Sequence, residues 1–155
     1  MDALEQILNF RRLGDRLATG GQPRPEQFQS LKEAGVDGVN NLALPTSDNA
    51  LPDEGFRVTS MGLFYVHLPV LFNAPTATDF NRFRAVLRAF QDSSLFIHCA
   101  MNMRVSAFVY LYRRIELGVA EAIAEADLRA IWNPDPIWTQ FITDRLHEHA
   151  HQENR

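Results

Sequence analysis

Residues 98–106 read "HCAMNMRVS", and their types suit covalent chemistry on an anion. Cys99 is the only cysteine of the chain. It closes the apolar run "SLFIH", which reads as a buried strand. "RVSAFVYLYRRIELG" then reads as a largely apolar helix that Gly118 stops. A strand end, a short turn and a helix starting near Arg104 leave the amides of the turn and first helical residues without helical partners. Aided by the helix dipole, such amides bind an anion, and the same field favours a thiolate. Cys99 is then the nucleophile that attacks the anion's central atom. Arg104 offers two parallel donors to phosphate-like oxygens. Ser106 donates a hydrogen bond to the thiolate when it leaves again. His98 orients the loop through a ring nitrogen and does not act as the base. The cradle itself comprises Ala100, Met101, Asn102, Met103, Arg104 and Val105.

A lone cysteine is more commonly a small buried hydrophobe. Its place here, between strand end and helix start with Arg104 and Ser106 near, outweighs that reading. Other residues divide between a role at the site and an ordinary one. The glycines of "GGQP" (20–23) allow close backbone approach or merely turn the chain. Asn40 and Asn41 end an apolar strand, and Asn41 is the candidate brace for the cysteine loop. Met101 and Met103 form an apolar rim or pack inward. His67 reads as a satisfied sheet histidine. His147 and His151 share a helix face at a spacing that suits zinc, yet a frayed polar helix end is the better reading, and no metal site is expected. Trp132 and Trp138 flank "NPDPI" and pin the last helix to the body.

The elements around this loop alternate. Strands are expected at "RLATG", "VDGVNNLAL", "LFYVHLPV" and "SLFIH". Helices are expected at "RPEQFQSLKEAG", with Pro25 at its start and Gly35 at its stop, and at "TATDFNRFRAVLRAFQ", where Phe80, Phe83, Leu87 and Phe90 recur at helical spacing. The irregular stretch "LPTSDNALPDEG" leads into a short helix around residues 52–60. Two more helices, parted by "NPDP", follow Gly118 and form a cap on one side. This pattern predicts one α/β domain over residues 1–155: a small, largely parallel sheet flanked by helices. Ligands of such sheets sit beyond the carboxyl ends of the strands, where Cys99 lies.

The composition sets outer bounds. With 155 residues, 46% apolar and 22% charged, the chain is long enough for one hydrophobic core. No run approaches a membrane span, and the N-terminal stretch carries no export pattern. One cysteine forms no internal disulfide, which favours the reducing cytoplasm. A net charge of -4 speaks against a broad nucleic-acid surface but leaves room for one small basic pocket.

"HCAMNMRVS" resembles the signature loop of the cysteine-dependent protein tyrosine and dual-specificity phosphatases. It is closer to a small bacterial branch, the beta-lactamase-hydrolase-like phosphatases. "TGGQPRPEQF", "VNNLALP", "YVHLPV" and "APTATDF" match as well, in an order that covers residues 17–142. The resemblance implies a phosphatase-type sheet with the cysteine loop at its base, a phosphocysteine intermediate hydrolysed by water, and no cofactor. The expected partner is a phosphorylated small molecule or a phosphoprotein. Two departures stand out. The usual loop places five residues between Cys and Arg, whereas four separate Cys99 from Arg104. The usual loop glycine is absent, and Asn102 is expected at the tight position because Asn tolerates positive φ. The family's acid, an Asp on a movable loop, corresponds in place to Asn73, which cannot serve. Asp79 is the nearest carboxylate in sequence, although "TATD" reads as a helix start with Thr76 as N-cap. Asp48, Asp53 and Glu54 read as solvated loop acids able to reach over the pocket. Two rival functions remain: an oxyanion-binding module without turnover, and sulfur transfer through a Cys99 persulfide.

Overall fold

The computed structural model describes residues 2–153. Five strands and six α-helices follow a 3-10 turn at Ala3–Gln6. They are β1 (Arg11–Arg12), β2 (Leu17–Gly20), α1 (Gln27–Glu33), β3 (Gly38–Asn41), α2 (Glu54–Ser60) and β4 (Phe64–His67), then α3 (Ala77–Ala89), β5 (Leu95–His98), α4 (Met103–Ile115), α5 (Glu121–Ile131) and α6 (Pro136–Glu153). The sheet order is β1-β2-β5-β3-β4, with only the β1–β2 pair antiparallel. The expected α/β architecture with a largely parallel sheet is present.

Side chains of β5 alternate between two apolar layers, as strand periodicity requires. Leu95 and Ile97 join Phe83, Leu87, Phe108, Trp138 and their neighbours on the α3/α4/α6 side. Phe96 joins Leu4, Ile7, Phe28, Leu31, Val39 and Val58 on the other. α4 is buried from Arg104 through Arg113, so it is the central helix its composition predicts. Trp138 is fully buried beside Phe108 and Phe141, and thus anchors α6. β1 is the strand that the sequence does not reveal. Two arginines give no alternation to read, and the pairing Arg11↔Thr19 rests on the edge that β2 offers. Among the described residues no helix is long and apolar enough to cross a membrane.

The register fixes the site. Gly20 of β2 and Asn41 of β3 both pair with His98, so three parallel strands end level. Cys99 is the first residue beyond the central one.

Candidate active site

Cys99 lies at the floor of a cavity of about 250 Å³ lined by Phe72, Ala100, Met101, Met103 and Arg104. The loop above the strand is shaped from outside. The Cys99 carbonyl faces His98 Nδ1 at 3.1 Å. The Ala100 carbonyl accepts from the Gln22 amide at 3.0 Å and from Asn49 Nδ2 at 3.1 Å. The Met101 carbonyl accepts from Asn9 Nδ2 at 3.0 Å. In a trans peptide the next N–H points opposite to the carbonyl. Holding these three carbonyls therefore turns the amides of Ala100, Met101 and Asn102 the other way. Asn102 has φ 67°, the left-handed conformation expected of it, and its Nδ2 donates to Asn9 O and Thr19 Oγ1. α4 begins immediately afterwards, and its first helical bond joins Ser106 N to Asn102 O. Among the described residues the amides of Ala100 through Val105 donate to no protein acceptor.

Arg104 is 94% buried, at 6% exposure, and its Nη1 donates to the Val70 carbonyl at 2.9 Å. Its guanidinium carbon lies 6.0 Å from the centre of the Phe72 ring. The buried Nε–H donates to nothing among the described residues. The shorter loop thus still brings Arg104 to the cavity wall, because the side chain spans the displacement.

Ser106 differs from expectation. Its hydroxyl donates to Met103 O at 2.8 Å and accepts from Trp132 Nε1 at 3.0 Å. Its proton is directed to the first turn of α4, not to Cys99, because that carbonyl lies three residues back along the same helix. Trp132 therefore reaches the site's supporting layer as well as packing at a tilt against Phe72 and edge-on against Trp138.

Beneath the loop lies a buried polar cluster. His98 Nε2 is 2.7 Å from Glu54 Oε2, and Gln22 Nε2 donates to Glu54 Oε1 at 2.6 Å. Burial pushes the Glu54 carboxyl up, but hydrogen bonds from His98 and Gln22 and the adjacent imidazole charge outweigh it and hold the group below the usual range. The Tyr65 hydroxyl belongs to the same cluster and is pushed well up, chiefly by burial. Asn41 takes part at one remove: its Nδ2 donates to Tyr65 Oη at 3.0 Å, and its Oδ1 accepts from Ala43 N at 2.8 Å. The reading of Glu54 as a solvated loop acid is overturned. The residue is 3% exposed and opens α2, so its carboxylate turns under the cysteine loop. Gln22, inside the glycine turn, gave a partial signal; Asn9 and Asn49 gave none, because their loops meet residue 100 and its neighbours only in the fold.

The other acids stand apart. Asp79 forms a reciprocal capping box with Thr76, at 3.1 and 3.0 Å, and lines a different cavity with His67 and Arg82. The structure thus gives the Asp79 carboxylate a helix-capping task and does not bring it to the cysteine cavity. Asp53 pairs with Arg57 at 2.9 Å. Asp48 is exposed in the turn next to Asn49. Asn73 is exposed in the turn after Phe72. His67 Nε2 lies 2.7 Å from Ala43 O, a paired sheet histidine.

A strand-end cysteine, a ring of inward amides and a buried arginine define the cysteine-based phosphatase class of α/β proteins. A family model described as DSP-PTPase phosphatase fused to NAD+ kinase matches residues 8–141, and the chain belongs to that family. A candidate phosphatase (DUF442) from Shewanella putrefaciens CN-32 is 32% identical, with a TM-score of 0.85 over 95% of this chain and 97% of that one. P. aeruginosa TpbA, solved in complex with pTyr, superposes with a TM-score of 0.74 at 15% identity, covering 96% of this chain and 92% of its own. The core catalytic domain of the PP-IP phosphatase SIW14 from S. cerevisiae, in complex with citrate, gives 0.73 at 16% identity, with 96% and 94% covered. No curated protein sequence matches the chain.

Proposed function

We propose that the chain hydrolyses phosphate monoesters through a phosphocysteine intermediate. The observation that carries this reading is the set of six unpartnered amides from Ala100 to Val105 beside Cys99 and the free Nε–H of Arg104. The Cys99 thiolate attacks phosphorus, the phosphorus–ester oxygen bond breaks, and the departing phenoxide or alkoxide takes a proton from solvent water. Water then attacks phosphorus, the sulfur–phosphorus bond breaks, and inorganic phosphate leaves. The amides and Arg104 hold the three non-bridging oxygens, where charge is greatest in the transition state. Phe72, Met101 and Met103 line the mouth with apolar surface, which suits phosphotyrosine or another aromatic phosphate; the pTyr held by the TpbA fold supports the same class. The chemistry needs a reduced thiol, in keeping with a cytoplasmic setting.

One observation favours a second reading, an oxyanion-binding module without turnover: among the described residues no carboxylate lines the cysteine cavity. Hydrolysis of p-nitrophenyl phosphate by the parent and by Cys99→Ser separates the two. Activity lost in the variant establishes the thiol mechanism. A folded, reduced parent that binds vanadate and releases no nitrophenol establishes the binding module.

A further inference from the structure

The segment that follows β4, residues 68–74, borders the cysteine cavity and is tied to the body at four places. The Leu68 amide donates to Asn41 O at 2.9 Å and the Val70 amide to Leu42 O at 3.0 Å, which carries the β3–β4 contact past the strand ends. The Val70 carbonyl accepts from Arg104 Nη1. The Phe72 carbonyl accepts from Trp138 Nε1 at 2.7 Å. This last tie comes from α6, 66 positions further on, and from a side chain that is wholly buried. Breaking it strands an indole donor inside the protein, which opposes any swing of the segment. The ring contacts act in the same direction. Phe72 packs at a tilt on Trp132 and Trp138, at 5.7 and 6.2 Å, and Trp138 is backed by Phe108 and Phe141 at 5.8 and 5.5 Å. Residues 68–74 read "LPVLFNA" and hold no titratable side chain, so a swing would carry no acid into the cavity.

We propose that Trp138 is a positioning residue: its indole N–H and ring hold residues 68–74 in one place, so that Phe72 is a permanent wall for the substrate's ester group and the segment is not a closing lid. The proposal rests on the cysteine cavity being the phosphoryl site. A fixed aromatic wall thus stands where the family resemblance leads one to expect a movable acid loop. The division of labour follows from the contacts. The loop amides and Arg104 hold the phosphoryl oxygens whatever the ester group is. Phe72 lines the same cavity and meets only what is attached to them, and the indole behind it sets the angle of its ring. Holding that wall before substrate arrives removes an ordering cost from binding.

The test uses the intact chain and two readouts that need no turnover. The chain has two tryptophans, so nitrogen-15 spectra show two indole N–H signals, and Trp132→Phe leaves the one from Trp138. In the ligand-free parent that proton is expected to exchange with solvent slower than free indole by about a hundredfold or more, because it meets water only when the segment opens. Exchange near the rate of free indole overturns the proposal. The second readout compares two ligands by calorimetry in the parent and in Trp138→Phe, which keeps a ring and loses the donor. Phenylphosphonate brings an aromatic group to Phe72, whereas inorganic phosphate brings none. Affinity for phenylphosphonate is expected to fall about threefold or more while that for phosphate stays within about twofold. Equal weakening of both ligands, or an unchanged affinity for phenylphosphonate, overturns the proposal, because an indole that only anchors α6 does not separate the two. If Trp138→Phe does not fold, the indole exchange rate of the parent decides alone. A parent that binds phenylphosphonate, shows the slow indole proton and hydrolyses no ester removes the phosphatase reading and leaves the fixed wall in place.

Discussion

Arg104 is tied to the Val70 carbonyl through Nη1 at 2.9 Å, yet its buried Nε–H has no partner among the described residues. A buried donor left unpaired costs about 1–3 kcal/mol, and under the proposed function a phosphoryl oxygen is the partner that offsets this cost. The tether also selects the edge. With Nη1 engaged, the Nε side of the fork is left to take two oxygens, as planar guanidinium geometry favours.

Lysine cannot replace that fork, because its ammonium has no second donor fixed in the same plane. Arg104→Lys is expected to lower kcat/KM for p-nitrophenyl phosphate by about a hundredfold or more and to weaken vanadate binding about tenfold. Steady-state kinetics with vanadate inhibition checks both. A loss confined to KM would show that Arg104 contributes only ground-state binding.

Among the described residues no carboxylate lines the cysteine cavity, so rates should depend steeply on the leaving group. Aryl phosphates with acidic phenols are expected to react, and alkyl phosphates to react slower by orders of magnitude. Asp79→Ala separates the two tasks of that residue. Loss of its capping box costs about 0.5–2 kcal/mol of stability, seen as a lower Tm, while p-nitrophenyl phosphate turnover stays within about twofold. An unchanged Tm together with slower cleavage of poor leaving groups would instead make Asp79 the acid.

Much of this site was legible because it is local in sequence. The strand end, the turn, the positive φ of Asn102 and the helix start of α4 all fall between residues 95 and 115, and each has its own residue signal. The parallel sheet was legible from alternation alone. What stayed hidden depends on separations that only the fold closes. Asn9 meets Met101 across 92 positions, Asn49 meets Ala100 across 51, and Glu54 meets His98 across 44. Glu54 was misread because an acid following Pro52 and Asp53 looks solvated, whereas α2 turns that one carboxylate inward. Ser106 was misread for the opposite reason: its spacing from Cys99 suited a hydrogen bond, but Met103 O and Trp132 Nε1 occupy the hydroxyl.

That arrangement makes Ser106→Ala mainly a structural change. Trp132 Nε1 loses its acceptor, at a cost of about 1 kcal/mol, and turnover changes by less than about threefold. Pre-steady-state traces check the point. A burst of nitrophenol followed by slow turnover would return Ser106 to the thiolate.

Acid sensitivity follows from two ion-paired carboxylates outside the site. Burial pushes Asp127 up, but Arg113 and Arg11, at 2.6 and 2.7 Å, hold it below its ordinary value. Glu116 is likewise raised by burial and lowered further by Arg88 and Arg84. Groups depressed in the folded state bind fewer protons there than in the unfolded chain. Their stabilisation is complete above the ordinary carboxylate range, about 4, and is lost as pH falls through the folded values. Tm should therefore drop progressively below about pH 5. Asp127→Asn should be less stable at neutral pH and show a flatter acid limb in thermal melts.

Gly21 is where the glycine turn meets the cysteine loop. A Cβ built there lies 2.7 Å from the Ala100 carbonyl oxygen and 3.0 Å from the Leu8 side chain. Leu8 can shift, but the carbonyl cannot move without rotating the peptide whose amide belongs to Met101. That rotation would take one donor out of the ring and loosen the bond from Gln22 N to Ala100 O. Gly21→Ala is thus expected to lower kcat/KM about tenfold or more and to weaken vanadate binding in step, while the fold survives with a Tm lower by a few degrees. Calorimetry of vanadate binding beside a thermal melt distinguishes this from general destabilisation. Full vanadate affinity in the variant would mean that the loop yields without turning its amide, and that the close approach at Gly21 shapes the turn and not the cradle.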